Sequence, residues 1–271
     1  DSRFEFSHAA DIDRAVLSRA IFQNPEAVGA LIDALDGARD RFLRRKLIEA
    51  LGDVRKSPLV AARGDAIEAA IRHEIVAHFR ALRYLATIGI GGKGTLDGRR
   101  SDWTGGVVAP GLLENLLPDR MEEHLRLFFG LLAVLYPPRD IWAAHRSLLS
   151  GRPELRNTAL EYIDNTLSSA LRQQVAPLLD NRPVDEKLRH AAVLDPRAPA
   201  SKRDLLLGLL KTEGAEEGGG SGLRVAALYH VYTERLADLY GVVAEIGAST
   251  RDAFVAETAA WVRGRVSRAD G

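Results

Sequence analysis

The chain has 271 residues, 46% of them apolar, and its 37 basic and 37 acidic side chains cancel to a formal charge of zero. This length and apolar content exclude a disordered tail and fit a chain with a real core, while the neutral balance disfavours a general nucleic-acid binder, which carries a basic excess. The absence of cysteine removes disulfides, thiolate zinc sites and cysteine nucleophiles together, and it fits a reducing, cytoplasmic compartment.

In chain order, the first clear helix is "NPEAVGALIDALDG" (24–37), with Asn24 as cap, Pro25 at the first helical position and a stop at Gly37. "RFLRRKLIEALGDV" (41–54) follows, and helical spacing puts Phe42, Leu43, Leu47, Ala50, Leu51 and Val54 on one apolar stripe. A long helix is expected over Asp65–Ile88, a junction between two sub-arrays. The glycine-rich "GIGGKGTLDGRRSDWTGG" (89–106) then reads as an insertion. The most apolar run, Leu125 to Tyr136, is interrupted by Arg126 and is shorter than the roughly 20 residues a bilayer core needs. "PPRDIWAAHRSLLSG" (137–151) and "ELRNTALEYIDNTL" (154–167) form a helix–turn–helix couplet, and "SSALRQQVAPLLDN" (168–181) opens the next. Pro196 and Pro199 cut short the helix after Leu188, and "TEGAEEGGGSG" (212–222) has the composition of a flexible linker or loop. Strand-type alternation is nearly absent. The chain starts at Asp1 and not Met, which suggests a processed or excised piece of a parent chain.

A short pattern recurs along these helices. L-R-x-x-A occurs at Leu155–Ala159, Leu188–Ala192 and Leu223–Ala227, and its Leu-Arg core also at Leu43-Arg44, Leu82-Arg83 and Leu125-Arg126, with a degenerate copy at Val255–Ala259. The intervals, roughly 30 to 43 residues, are those of helix-pair repeats, which cannot cover their apolar faces alone and must stack. Leucine and alanine four apart share a face, alanine being small where a neighbouring helix comes close. The arginine, one step off, can reach carbonyls or a carboxylate of the adjacent repeat. Asp40, Asp185 and Asp252 precede their copies by three residues, where a carboxylate caps a helix. The expected fold is all-α: an α-α superhelix (solenoid) of about six to seven helix-pair repeats with a glycine-rich insertion. Its sections are 1–88, the insertion 89–110, 111–211, the linker 212–222, and 223–271, all within one continuous array.

The couplets, especially "FLRRKLIEALGDV" and "GLRVAALYHV", resemble HEAT (armadillo-like) repeats. The stretches "LLAVLYPPRDIWAAHRSLLSGRPELRNTALEYIDNTL", "VAPLLDNRP" and "GLRVAALY" are similar to the HEAT-type cytoplasmic regions of bacterial proteins related to ATP/ADP translocases. The first resemblance implies a non-catalytic scaffold with an extended binding surface. The second implies a cytoplasmic regulatory region of a transporter-like membrane protein. The glycine-rich insertion departs from the repeat pattern.

Motifs with chemical content are few. "HEIVAH" (73–78) spaces its histidines by five, about 140° apart on a helix, so they cannot share a metal as H-E-x-x-H does. "TIGIGGKGT" (87–95) lacks the first glycine and the Ser/Thr after Lys93 that a phosphate loop needs, and it follows a helix. Tyr229, Tyr232 and Tyr240 with His230 read as a packed helix with polar tips. The basic run "RDRFLRRK" (39–46) places Arg41, Arg44 and Arg45 on one, mainly solvated, face, and Arg99, Arg100 and Trp103 sit in the insertion. These six are the candidate partner-binding residues. No catalytic, cofactor-binding or metal-ligating set is expected, and no cofactor. The expected partner is a protein or another domain of the parent chain, with no direct membrane insertion by this segment. The alternative is a nucleic-acid-binding HEAT protein of the DNA-glycosylase-like kind; a bilin-handling, lyase-like HEAT protein is a third option.

Overall fold

The computed structural model describes residues 24–38, 40–89, 111–197, 199–211 and 220–269. These form thirteen α-helices and no strand. In chain order they are α1 (Pro25–Gly37), α2 (Arg41–Asp53), α3 (Pro58–Ala62), α4 (Gly64–Thr87), α5 (Leu112–Leu135), α6 (Pro138–Leu149), α7 (Pro153–Thr166), α8 (Ser169–Leu179), α9 (Val184–Leu194), α10 (Lys202–Lys211), α11 (Gly220–Thr233), α12 (Tyr240–Ser249) and α13 (Ala253–Ala269). A short 3₁₀ turn, Ala237–Leu239, precedes α12. No helix among the described residues is long and apolar enough to cross a membrane.

The helix starts follow local chemistry. Asn24 Oδ1 accepts from the Glu26 amide at 2.9 Å and Asp40 Oδ1 from the Leu43 amide at 2.8 Å, satisfying donors that the first helical turn leaves open. Asp252 does the same for Phe254 and Val255 at 3.0 and 3.1 Å. Asp185, expected to cap, does not. It lies inside the first turn of α9, whose N-cap is Pro183 and has no side-chain cap. Gly151, with φ 67°, makes the turn between α6 and α7, in the left-handed region that glycine enters without strain. The expected linker residues 220–222 are the first residues of α11.

Sequential helices pack as pairs at the flanks: α1 on α2, α6 on α7, α12 on α13. The middle is different. The two 24-residue helices α4 and α5 lie against each other, and helices remote in sequence return to them. α8, α9 and α10 pack on α4, whereas α2 and α11 pack on α5. A strictly one-dimensional stack would let each unit touch only its neighbours; here the long pair is a hub. One apolar cluster runs from Val28 in α1 to Val262 in α13.

The repeated motif does not align the way its leucines suggest. Leu223 is buried, Leu43 and Leu188 are partly buried, and Leu155 is 42% exposed. What recurs is the cation. Arg44 donates to the Leu35 carbonyl at 2.8 Å, Arg156 to Leu148 and Leu179 at 3.2 and 2.6 Å, and Arg224 to Leu210 at 2.7 Å. Each acceptor lies near a helix C-terminus, where carbonyls lack intrahelical partners and the helix dipole is negative. In α9 the job passes to Lys187, which is buried and donates to Leu178 at 3.4 Å, while Arg189 and Ala192 are exposed and Ala191 is buried. The "LRHAA" copy is therefore out of register by one residue.

Candidate functional site

A groove of about 410 Å³ lies between α2, α5 and the start of α6. Its floor is Ile48, Leu127 and Ala133, all buried, with the partly buried Trp142 as one wall. Two glycines shape it. A Cβ on Gly130 would sit 2.9 Å from Ile48 Cγ2, so only glycine lets α2 and α5 meet at this crossing. Gly52, one turn of α2 further on, has open space where a side chain would project.

The rim carries both signs. Arg45, Arg55 and Arg126 line it together with Glu49 and Asp53. Arg45 and Lys46 approach Glu49 at 4.0 and 3.6 Å, whereas Arg55 and Arg126 form no ion pair with a described residue. Next to Trp142, the ring of His145 lies edge-on at 5.6 Å and leans on Phe129 at 4.6 Å. Burial, then the nearby charges of Arg126 and Arg146, push its pKa down and favour the neutral ring.

Of the six residues picked from sequence, three can be placed. Arg99, Arg100 and Trp103 lie outside the described residues. Arg45 stands on the groove rim with its guanidinium 5.0 Å from the Phe42 ring centroid. Phe42, expected in the core, is 49% exposed and serves as the face on which Arg45 and Lys46 rest. Arg41 binds Glu123 of α5. Arg44, expected on the solvated face with the other two, is instead buried, its Nε bound to Glu74 of α4. The basic run thus divides between rim and interior.

That interior is an ionic cluster which motif reading missed. Glu74, inside "HEIVAH", is fully buried, and His124 Nδ1 donates to its other oxygen at 2.7 Å. Burial alone would raise the Glu74 pKa, but the hydrogen bond from His124 and the charge of Arg44 outweigh it and hold the carboxyl below its ordinary range. His78 Nδ1 donates to the Met121 carbonyl at 2.9 Å, and desolvation between the long helices pushes its pKa down to about 3. No group of three or more His, Asp or Glu among the described residues is placed to hold a metal ion. Further along, Tyr229 stacks on Trp261 at 6.0 Å and Tyr232 meets the same indole edge-on at 4.9 Å, while His230 is buried.

Fold and groove together define an all-α protein whose helix pairs gather on a long central pair and leave a charged-rimmed, apolar-floored groove beside it. No known family model matches the chain, and neither a curated protein nor a solved structure matches it.

Proposed function

We propose that this protein is a non-catalytic scaffold of the HEAT type whose groove between α2, α5 and α6 binds a segment of a partner protein. The segment lays an apolar side chain on Ile48, Leu127 and Trp142 and sets a carboxylate against Arg55 and Arg126. The observation that carries this reading is the groove itself. Its volume, about 410 Å³, falls in the range of ligand-binding clefts, its floor is apolar, and Arg55 and Arg126, which form no ion pair with a described residue, ask for an acidic complement. The repeat reading is supported by the flanking helix pairs and by the cations that tie one helix to the end of another. The likeness to translocase-associated regions makes a membrane-protein partner, or a membrane part of a parent chain, the first place to look for that segment. Interleaved Glu49 and Asp53 speak against nucleic acid, which favours a continuous cationic track.

The test is a panel of short peptides that varies apolar and charged positions independently, with binding read by fluorescence anisotropy. Peptides pairing an aromatic or aliphatic residue with carboxylates bind the wild type, Trp142→Ala weakens them, and Arg55→Glu/Arg126→Glu reverses the preference towards basic peptides. Binding indifferent to both variants overturns the proposal. So does tight retention of duplex DNA that falls steeply with salt.

A further inference from the structure

Helix α13 packs on α11 and α12 and buries Val255, Ala259 and Val262. Its outer side is not polar. Phe254 and Trp261 are both exposed, and seven residues of helix place them two turns apart on nearly one line. Tyr229 of α11, also exposed, stacks on Trp261 at 6.0 Å and widens the patch. Single exposed hydrophobes are ordinary, but adjoining aromatic ones mark an interaction surface.

The charges on this side are arranged about Trp261. Glu257 lies four residues before it and Arg265 four after, each about 40° off its line. Both are exposed, and neither forms an ion pair with a described residue. The Arg265 guanidinium rests over the Trp261 ring, 5.2 Å from its centroid. Between them is Gly264, where an added Cβ would meet nothing within 4 Å, so a neighbouring backbone has room to approach.

We infer that this face of α13 binds a second copy of the chain, the two helices running antiparallel about a two-fold axis at Trp261. Such an axis sets residues equally far before and after Trp261 opposite each other, as an isologous contact requires. Glu257 then meets Arg265 of the second copy, and Arg265 meets its Glu257, so two ion pairs flank the paired indoles. Gly264 falls opposite Thr258 and lets the axes close to helix-packing distance, while Phe254 covers the far end of the other α13. The change of sign across Trp261 suits a copy of itself and suits neither a uniformly acidic nor a uniformly basic partner. One helix face with a neighbouring tyrosine is a small interface, so the dimer forms with a Kd of roughly 10 µM.

Sedimentation equilibrium between about 1 and 200 µM tests this, since the mass passes from one chain to two across the Kd. Phe254→Asp holds the protein at one chain. Glu257→Arg alone and Arg265→Glu alone are each monomeric, because like charges then face each other twice. Mixed together, these two variants form a one-to-one heterodimer, and the double variant Glu257→Arg/Arg265→Glu regains the homodimer. All three positions are exposed, and helical circular dichroism matching the wild type confirms that each variant is folded. A wild type that stays at one chain up to 200 µM overturns the inference. So does a dimer that survives in both single variants, which would use another face, or a failure of the mixture and the double variant to associate.

Discussion

The central pair α4–α5 and the terminal pair α12–α13 are both built from amphipathic helices, yet they spend their buried faces differently. The central stripes carry Glu74, Arg120 and His124 among leucines, isoleucines and phenylalanines. The terminal pair buries Val243, Ile246, Val255, Ala259 and Val262 and, among the described side chains, no charged one, while Phe254 and Trp261 stay 73% and 40% exposed. The centre therefore depends on mutual neutralisation, and the end on apolar contact and caps. The sharpest way to break this contrast is to remove one charge from the middle. Glu74→Ala leaves Arg44 and His124 facing each other in a dry site, and the expected loss is about 3–5 kcal/mol, the scale for orphaning a buried ion-pair partner. Phe254→Ala, at the exposed end, is expected to change stability by less than about 0.5 kcal/mol. Urea unfolding of both variants at neutral pH measures the difference directly.

The same contrast appears as pH dependence. The folded-state pKa of His78, about 3, is depressed below its ordinary 6.5. The unfolded chain then binds more protons between those values, so the stabilising contribution is complete above 6.5 and is lost as pH falls through that window. At pH 5 the loss is about 2 kcal/mol from this residue. Glu74 acts lower: its contribution is complete above the ordinary 4.5 and disappears as pH drops through its depressed folded value. Unfolding free energies at pH 7 and pH 5 should show the drop, and His78→Gln should flatten it. An unchanged slope in that variant would place the proton uptake elsewhere.

Much of this was readable from the chain, and what was not has a physical reason. Helix starts are local events, so Asn24, Pro25 and Asp40 announced them, and the long α4 was expected within one residue of where it lies. The ionic cluster was visible only as an anomaly. Glu74 and His78 fall on the apolar stripe of α4, as Arg120 and His124 do on α5, and charged residues in such positions signal buried partners. Motif reading weighed "HEIVAH" only as a metal motif, set it aside on its histidine spacing, and left this signal unused. The partners themselves, Arg44 with Glu74 and Arg80 with Asp195, are joined by tertiary packing that no spacing encodes. The groove was equally hidden, since it exists because Gly130 of α5 meets Ile48 of α2. The register error at Leu188 came from matching letters: Lys187, one step earlier, occupies the position that matters.

Two smaller perturbations sharpen the account of the terminal region. Asp252 caps α13 through two backbone amides and also accepts from Ser221 of α11. Its pKa is held down first by that hydroxyl and then by the Val255 amide. Asp252→Ala should cost about 1 kcal/mol, the usual value of an N-cap, and should raise amide exchange in the first turn of α13 while leaving α4 protected. Arg235 gives the smallest effect and the opposite sign. It sits at φ 52° in the turn after α11, where the Leu236 amide reaches back to the Val231 carbonyl at 3.0 Å. A side chain in this left-handed conformation costs about 1–2 kcal/mol, and glycine there relieves it at the expense of roughly 0.5–1 kcal/mol of unfolded-state entropy. Arg235→Gly should therefore stabilise the protein by about 0.5 kcal/mol, since Arg235 is an exposed side chain with little packing to lose. A destabilised variant would mean that the side chain holds the α11–α12 turn by contacts outweighing the backbone strain.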